Sequence, residues 1–194
     1  MPISIALHGL NGHQIARQVA DRPDTALAAT SGLDPARLPR DLQNRKDVLY
    51  AESLDEVLAD SRVDLVSLCS PRRRDQAEDA VRCLRAGKHV YAEKPCAMTE
   101  EDLDRVLQAA TETGCVFHEM AGSVYDQPYR TMRQTVAQGV IGEVVQIFAQ
   151  KSYPYHDKRP GDENVDGGLI QQAGIHAFRF IEHVSGQRIA AVDA

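Results

Sequence analysis

Apolar and polar positions alternate in blocks along the first 120 residues of the chain. Short apolar runs at residues 3–7, 26–29, 48–50, 63–69, 89–92 and 115–118 predict strands. Stretches with helical spacing separate them, for example residues 72–86 and the stretch from Thr99 to Gly114. Strands and helices that alternate in this way pair in parallel, with helices on both faces of the sheet. The pattern therefore predicts an α/β fold built on a doubly wound parallel sheet.

Several of the predicted helices carry residues that mark their ends. Ser53, followed three residues later by Glu56, forms a capping box, and Thr99 precedes a run of three acidic residues. Gly87 and Gly114 are placed to end the helices before them. These signals support the helix boundaries that the periodicity indicates.

The alternation of short apolar runs and helical stretches ends near Ala121, which predicts a first domain over residues 1–120 and a second over residues 121–194. In the second domain we expect a helix at about residues 127–138, a strand from Glu143 to Lys151, and a last helix opened by Gly167-Gly168. A single strand leaves its backbone groups without partners. We therefore expect an incomplete α/β (α+β) substrate domain that exposes a strand edge or an apolar face.

Composition and charge narrow the class of protein. Lys and Arg total 22 against 28 Asp and Glu, a net charge of −6, which argues against nucleic acid as a partner. No apolar run approaches the roughly 20 residues of a membrane helix. The 4 cysteines contain no C-x-x-C pair, which is typical of reduced thiols in the cytoplasm.

The turn after the first strand has the composition of a dinucleotide-binding turn. Such a turn needs glycines for its tight bend and for close approach of a pyrophosphate to backbone N–H groups. Gly9 and Gly12 fill two positions of the G-x-G-x-x-G pattern, while Asn11 and Gln14 replace the other two glycines. The candidate cofactor-binding residues in the turn are Gly9, Leu10, Asn11, Gly12 and His13. The alternative is a plain strand-to-helix turn.

The end of the second strand indicates which cofactor would bind. An NAD site usually has an acid about 20 residues after the first glycine, but Ser31 and Gly32 stand there, with Arg37 and Arg40 just beyond. Without a carboxylate, nothing repels a 2′-phosphate, and Arg37 could pair with it. The cofactor is therefore expected to be NADP or NAD, with a preference for NADP. In the alternative interpretation the arginines are only solvated.

The strongest indication of function in the sequence is at residues 87–99, GKHVYAEKPCAMT. A lysine that ends a parallel strand projects into the crevice where ligands bind, and the proline after Lys94 restricts the backbone. In this context the chain resembles the Gfo/Idh/MocA family of nicotinamide-dependent oxidoreductases, whose first domain is a Rossmann fold. The resemblance runs from the Gly9 turn through residues 64–71, 86–90 and 93–95 to Tyr129-Arg130, residues 139–144, Gly167-Gly168 and residues 174–176.

The resemblance implies roles for individual residues. Lys94 corresponds to the active-site lysine that orients the substrate hydroxyl, and His176 to the acid/base that takes its proton. The family commonly has an aspartate one turn before this histidine, where Gln172 stands here, and often a histidine near the position of Asp75. Ser70, Pro71, Glu93 and Lys94 are expected to border the cofactor, and Gln172 to hold a substrate hydroxyl. The family also implies a larger second sheet, so we expect a truncated chain or a homo-oligomer formed through the C-terminal sheet.

Other residues are candidates by position alone. Possible substrate contacts are Tyr125, Tyr153, Tyr155, His156 and Arg159. Arg72, Arg73 and Arg74 are most simply a solvated helix start, although they could meet a phosphate. His176 could be a satisfied core histidine, and His156, Asp157, Asp162 and Glu163 lack the spacing of metal ligands, so no metal is expected.

The sequence thus predicts an oxidoreductase that transfers a hydride between NAD(P) and the hydroxyl carbon of a sugar, polyol or related small molecule. Two alternatives stay open: a non-catalytic dinucleotide-binding sensor or subunit, and a lyase that uses its bound nicotinamide transiently. Neither nucleic acid nor a membrane is expected as a partner.

Overall fold

The computed structural model describes residues 2–153 and 160–193. Its centre is one parallel sheet of six strands in the order β3-β2-β1-β4-β5-β6. The strands are β1 Ile3–His8, β2 Thr25–Ser31, β3 Leu49–Tyr50, β4 Leu65–Leu68, β5 His89–Ala92 and β6 Phe117–Glu119. Every pair is parallel. The predicted doubly wound sheet is confirmed.

Helices connect the strands, and within the described residues three more come after the last strand, β6. They are α1 Ala16–Asp21, α2 Leu54–Ala59, α3 Gln76–Arg85, α4 Glu100–Thr113, α5 Tyr129–Ala137, α6 Glu163–Asp166 and α7 Gly168–Ser185. Short 3₁₀ turns lie at Pro35–Arg37, Arg40–Leu42, Arg73–Asp75 and Gly122–Tyr125. The Ser53 and Thr99 hydroxyls accept N–H groups of Glu56 and Asp102, as the capping signals predict. The helix predicted from residue 72 instead begins with a 3₁₀ turn and becomes α-helical at Gln76.

The core lies on both faces of the sheet. On one face Val66, Leu68 and Val90 pack against Leu84 of α3 and Val106 of α4. On the other face β1 and β2 pack against α1 and the loop that carries Leu38 and Leu42. Strands buried on both sides explain why the apolar runs of the first domain are nearly continuous.

The predicted strand from Glu143 to Lys151 is wrong. Within the described residues this segment pairs with no other strand, and an isolated strand gains no ladder hydrogen bonds to offset its ordering. Val145 is 91% exposed and Phe148 84% exposed, so the expected exposed apolar face is present. The domain boundary at residue 121 stays a prediction. Across the described ranges, no helix has the length and apolarity to cross a membrane.

Candidate active site

The glycine-rich turn lies at the carboxyl end of β1, where the strand order reverses and open α/β sheets bind ligands. Gly9 has φ +72°, and a Cβ there would lie 2.0 Å from the Cys69 carbonyl oxygen. Gly12 has φ +132°, and its Cβ would lie 2.3 Å from a carboxylate oxygen of Glu93. Both positions therefore require glycine, as a cradle for a pyrophosphate would.

The two residues that replace glycines in the pattern hold the turn in place. The Asn11 side-chain amide donates to the carbonyls of Pro71 at 3.1 Å and Val165 at 2.5 Å. The Gln14 amide donates to the carbonyls of His8, Gly9 and Ser67 at 3.0–3.2 Å. The turn is thereby tied to β4 and to the segment that precedes α7.

Glu93, at the end of β5, places its carboxylate against the same turn. It accepts the His13 N–H, lies 2.9 Å from His13 Nδ1 and accepts the Lys94 N–H at 3.0 Å. Burial alone would raise the pKa of Glu93, but the hydrogen bonds and charge of His13 outweigh it, so the pKa is lowered. The glycines and the position of the turn fit a dinucleotide, while the His13 N–H is already bonded to Glu93.

The residues predicted to contact the cofactor at the end of β2 differ in their surroundings. Ser31 is buried, and its hydroxyl lies 2.8 Å from Nδ1 of His8 inside the fold. Gly32 is exposed with φ +62°, and Arg37 is exposed at the end of the next 3₁₀ turn. Of the three candidates, Gly32 lies against the start of the turn, since a Cβ there would be 3.5 Å from the Gly9 nitrogen. Arg37 is exposed, whereas the Ser31 hydroxyl contacts His8.

Of the three arginines after Ser70-Pro71, one is buried, one is half-buried and one is exposed. Arg73 is 1% exposed, and its guanidinium donates to the Asn11 carbonyl at 2.5 Å. Burial lowers the pKa of Arg73, opposed by the charge of Glu93. The solvated interpretation is therefore wrong for Arg73. Arg72 and Arg74 pair with nearby carboxylates at the surface, and the buried Ser70 hydroxyl donates to Asp79 at 2.8 Å.

Lys94 is held where β5 meets α7. Its side chain is 2% exposed, and its ammonium donates to the Gln172 carbonyl at 3.2 Å. The Gln76 amide donates to the carbonyls of Glu93 and Pro95 and so holds the backbone on both sides of Lys94. Burial lowers the pKa of Lys94, and the charge of Glu93 opposes this.

His176 lies one helical turn after Gln172, on the same face of α7. It is half-buried and lines a cavity of about 270 Å³. Burial lowers the pKa of His176, and the positive charges of Lys94 and Lys151 lower it further. Lys94, Gln172 and His176 are thus brought together. A histidine that lines a cavity is not a packed core histidine.

The two tyrosine candidates among the described residues, Tyr125 and Tyr153, lie in different places. Tyr125 lies with its ring centroid 6.2 Å from that of His118 and 6.4 Å from that of His183. Since His183 is two turns beyond His176 on α7, Tyr125 is displaced from the Lys94–His176 pair, and a substrate role for it is not favoured. Tyr153 lies beneath the ammonium of Lys151, which lines the same cavity as His176.

The loop candidates Tyr155, His156, Asp157 and Arg159 lie outside the described residues. Asp162 caps α6 by accepting the Asn164 N–H at 2.9 Å. Among residues 2–153 and 160–193, no group of three or more His, Cys, Asp or Glu side chains has the geometry of a metal site.

Two functional candidates were missed by sequence reasoning. Glu119, at the end of β6, is buried, accepts the Cys96 N–H at 2.9 Å and lies 3.5 Å from Arg179 of α7. Its position at the carboxyl edge of a parallel strand was a usable signal. Lys151 was read only as the last residue of a strand, and no pattern in the sequence places it beside His176.

Comparison with known proteins gives two matches to family models that together span most of the chain. The model described as "Oxidoreductase family, NAD-binding Rossmann fold" matches residues 4–120, and the one described as "GFO/IDH/MocA C-terminal domain" matches residues 129–194.

Individual relatives agree with these matches. Myo-inositol 2-dehydrogenase of Thermotoga maritima is 27% identical over 88% of this chain and 51% of its own length. A dTDP-3,4-didehydro-2,6-dideoxy-α-D-glucose 3-reductase of Streptomyces violaceoruber is 32% identical over 71% of this chain and 41% of its own length. A 3-ketoreductase of Actinomadura kijaniata, solved with NADP and TDP-benzene, superposes with a TM-score of 0.78 at 25% identity, covering 94% of this chain and 57% of that one. The chain spans about half the length of the curated relatives it matches.

Proposed function

The chain belongs to the Gfo/Idh/MocA oxidoreductase family with its NAD-binding Rossmann fold, and we propose that it performs the family's chemistry on a sugar, polyol or related hydroxy compound. The observation that carries the proposal is the convergence of Lys94 and His176. The Lys94 ammonium contacts the Gln172 carbonyl at 3.2 Å, one turn from His176, and its charge lowers the pKa of that imidazole.

The turn at residues 9–13 would hold the cofactor, since only glycine fits at Gly9 and Gly12. A nicotinamide bound there would supply hydride transfer to or from the substrate carbon. Glu93 orients the turn by accepting the His13 N–H. Gln76, through the carbonyls of Glu93 and Pro95, holds the backbone that carries Lys94 beside this crevice.

Lys94 and His176 divide the work at the substrate oxygen. The Lys94 ammonium donates a hydrogen bond to that oxygen and stabilises negative charge on it. Because its pKa is lowered, His176 is neutral at neutral pH, so a ring nitrogen can take the hydroxyl proton as the alcohol is oxidised and return it in the reverse reaction. A positioned general acid or base of this kind contributes about 10²- to 10⁴-fold in rate.

Gln172 changes what the site can do relative to the family pattern. Its side-chain amide can hold a substrate hydroxyl but can neither take a proton nor carry a charge. Proton transfer is therefore assigned to His176 and not to Gln172. We propose that this site handles a substrate whose second polar group needs a hydrogen bond and no base.

The proposal includes a preference for NADP over NAD. The end of β2 offers no carboxylate, and the exposed guanidinium of Arg37 is available for a 2′-phosphate. Titration with NADPH and NADH, followed by nicotinamide fluorescence, tests this preference. Arg37→Gln should weaken NADPH binding and leave NADH binding unchanged, whereas Arg85→Gln, an exposed arginine on α3, should alter neither. Equal affinities of the chain for NADPH and NADH would contradict the preference.

A turnover assay tests the proposed function itself. The chain is given NADP and a panel of sugars and polyols that includes myo-inositol, and NADPH formation is followed. Lys94→Met and His176→Asn should each lose turnover by about 10²-fold or more, and His176→Asn should bind NADPH as the unaltered chain does. Cofactor binding without oxidation of any compound would favour the sensor. Product release without net NADPH formation would favour the lyase.

A further inference from the structure

The cavity beside His176 has a charge pattern that specifies its ligand. We propose that it takes an anionic sugar derivative, one carrying a carboxylate or a phosphate, and that Lys151 selects this negative group. The inference rests on the proposed function, because it names the substrate class of the same site.

Among the residues that the structure describes, the cavity lining carries charge of one sign. Lys151 and His176 contribute to a cavity of about 270 Å³ whose other walls include the rings of Tyr129, Phe148 and Phe180. Among the described lining residues no carboxylate is present. The volume lies near the lower end of about 300–1,000 Å³ that is usual for small-molecule pockets, which favours a ligand of monosaccharide size.

Two ammonium groups act on this position at once. Apart from burial, the charges of Lys94 and Lys151 both lower the pKa of His176, and Lys151 also lowers the pKa of Lys94. The buried carboxylate of Glu93 already accepts the N–H groups of His13 and Lys94. A negative ligand group placed between these ammonium groups would relieve their repulsion.

Lys151 is positioned without being neutralised. Its Nζ lies 5.1 Å from the ring centroid of Tyr153, a cation–π contact that orients an ammonium and leaves its charge intact. In the described part of the chain, no carboxylate forms an ion pair with it. Gln172, one turn from His176, is neutral where an acid would repel an anion. A neutral polyol would leave the charge of Lys151 unmatched.

A matched pair of probes tests the inference. D-gluconate and D-sorbitol share a carbon skeleton and differ in a carboxylate, and sorbitol 6-phosphate supplies the phosphate. Binding is measured by calorimetry and by the NMR titration of the His176 imidazole, neither of which requires turnover. Gluconate or sorbitol 6-phosphate should bind at least about tenfold more tightly than sorbitol, because charge-assisted hydrogen bonds are the stronger ones. The anion that binds should also raise the pKa of His176.

Variants separate the role of Lys151 from a general effect of charge. Lys151→Gln should abolish the preference for the anion, whereas Lys46→Gln, which alters an exposed lysine of the first domain, should keep it. Tighter binding of only one of the two anions identifies the group that is recognised. Equal binding of sorbitol and both anions, or a preference that survives in Lys151→Gln, would overturn the inference. The turnover assay stands apart: anion binding without oxidation contradicts the proposed function and leaves this inference intact.

Discussion

A single methyl group added at Gly9 tests whether the turn after β1 is built as described. Gly9→Ala would place a Cβ 2.0 Å from the carbonyl oxygen of Cys69. That oxygen belongs to the backbone and cannot rotate away, since Cys69 donates its N–H to the His8 carbonyl at 2.8 Å and accepts the Asn11 N–H at 3.3 Å. The strand ends must therefore separate to admit the methyl group.

The magnitude follows from two separate costs. An alanine at φ +72° costs about 1–2 kcal/mol for its left-handed backbone. The clash adds a cost of overpacking, about 1–3 kcal/mol. Gly87→Ala isolates the first cost, because Gly87 has φ +77° and a Cβ there would have no neighbour within 4 Å. We expect Gly9→Ala to lower the free energy of unfolding by about 2–5 kcal/mol and Gly87→Ala by about 1–2 kcal/mol.

Urea unfolding followed by circular dichroism measures both variants, and NADPH titration follows the turn itself. Gly9→Ala should also weaken NADPH binding, while Gly87→Ala, at the far end of α3 from the turn, should not. If the two variants lost equal stability and bound NADPH equally well, the close approach of the turn to β4 would be refuted.

Three further predictions concern buried groups. Arg73→Met should lower the free energy of unfolding by about 3 kcal/mol, because it removes charge-assisted hydrogen bonds inside the fold, while Arg74→Gln at the surface should change it by less than about 0.5 kcal/mol; equal losses in urea unfolding would contradict this. The pKa of Glu93 is lower in the folded protein than in the unfolded chain. Its contribution to the free energy of unfolding is therefore fully present above the pKa of the unfolded chain, and it is lost as the pH falls through the pKa of the folded protein. Between about pH 5 and pH 3 the unaltered chain should therefore lose more stability than Glu93→Gln, and parallel curves would refute the contribution. Burial raises the pKa of Cys69 to about 12, so N-ethylmaleimide at pH 8 should label the half-buried Cys115 first, and intact mass should show a single early adduct; several early adducts would show that the three buried thiols are accessible.

Much of the site was predictable because it depends on local sequence signals and on parallel topology. Gly9 and Gly12 mark a turn of positive φ, and Lys94 ends a strand, so both were assigned to the crevice. The helix of His176 was recognised through a resemblance whose motifs occur in the right order. The burial and contacts of other residues could not be predicted, because they depend on residues far away in the sequence and leave no local pattern. Arg73 is one example, buried by contacts with Asn11.

The alternation of apolar runs and amphipathic stretches by itself determined the α/β class, the parallel pairing and the edge of the sheet where the site lies, since these follow from periodicity and chain handedness. Only the tertiary structure decided which polar groups are desolvated. In the folded chain the Ser31 hydroxyl contacts His8, the Glu93 carboxylate accepts an N–H of the turn, and Lys151 lines the same cavity as His176. The tertiary structure also left residues 143–151 without a partner strand in the described part of the chain. Pairing and electrostatic environment depend on segments far apart in sequence, which no local pattern encodes.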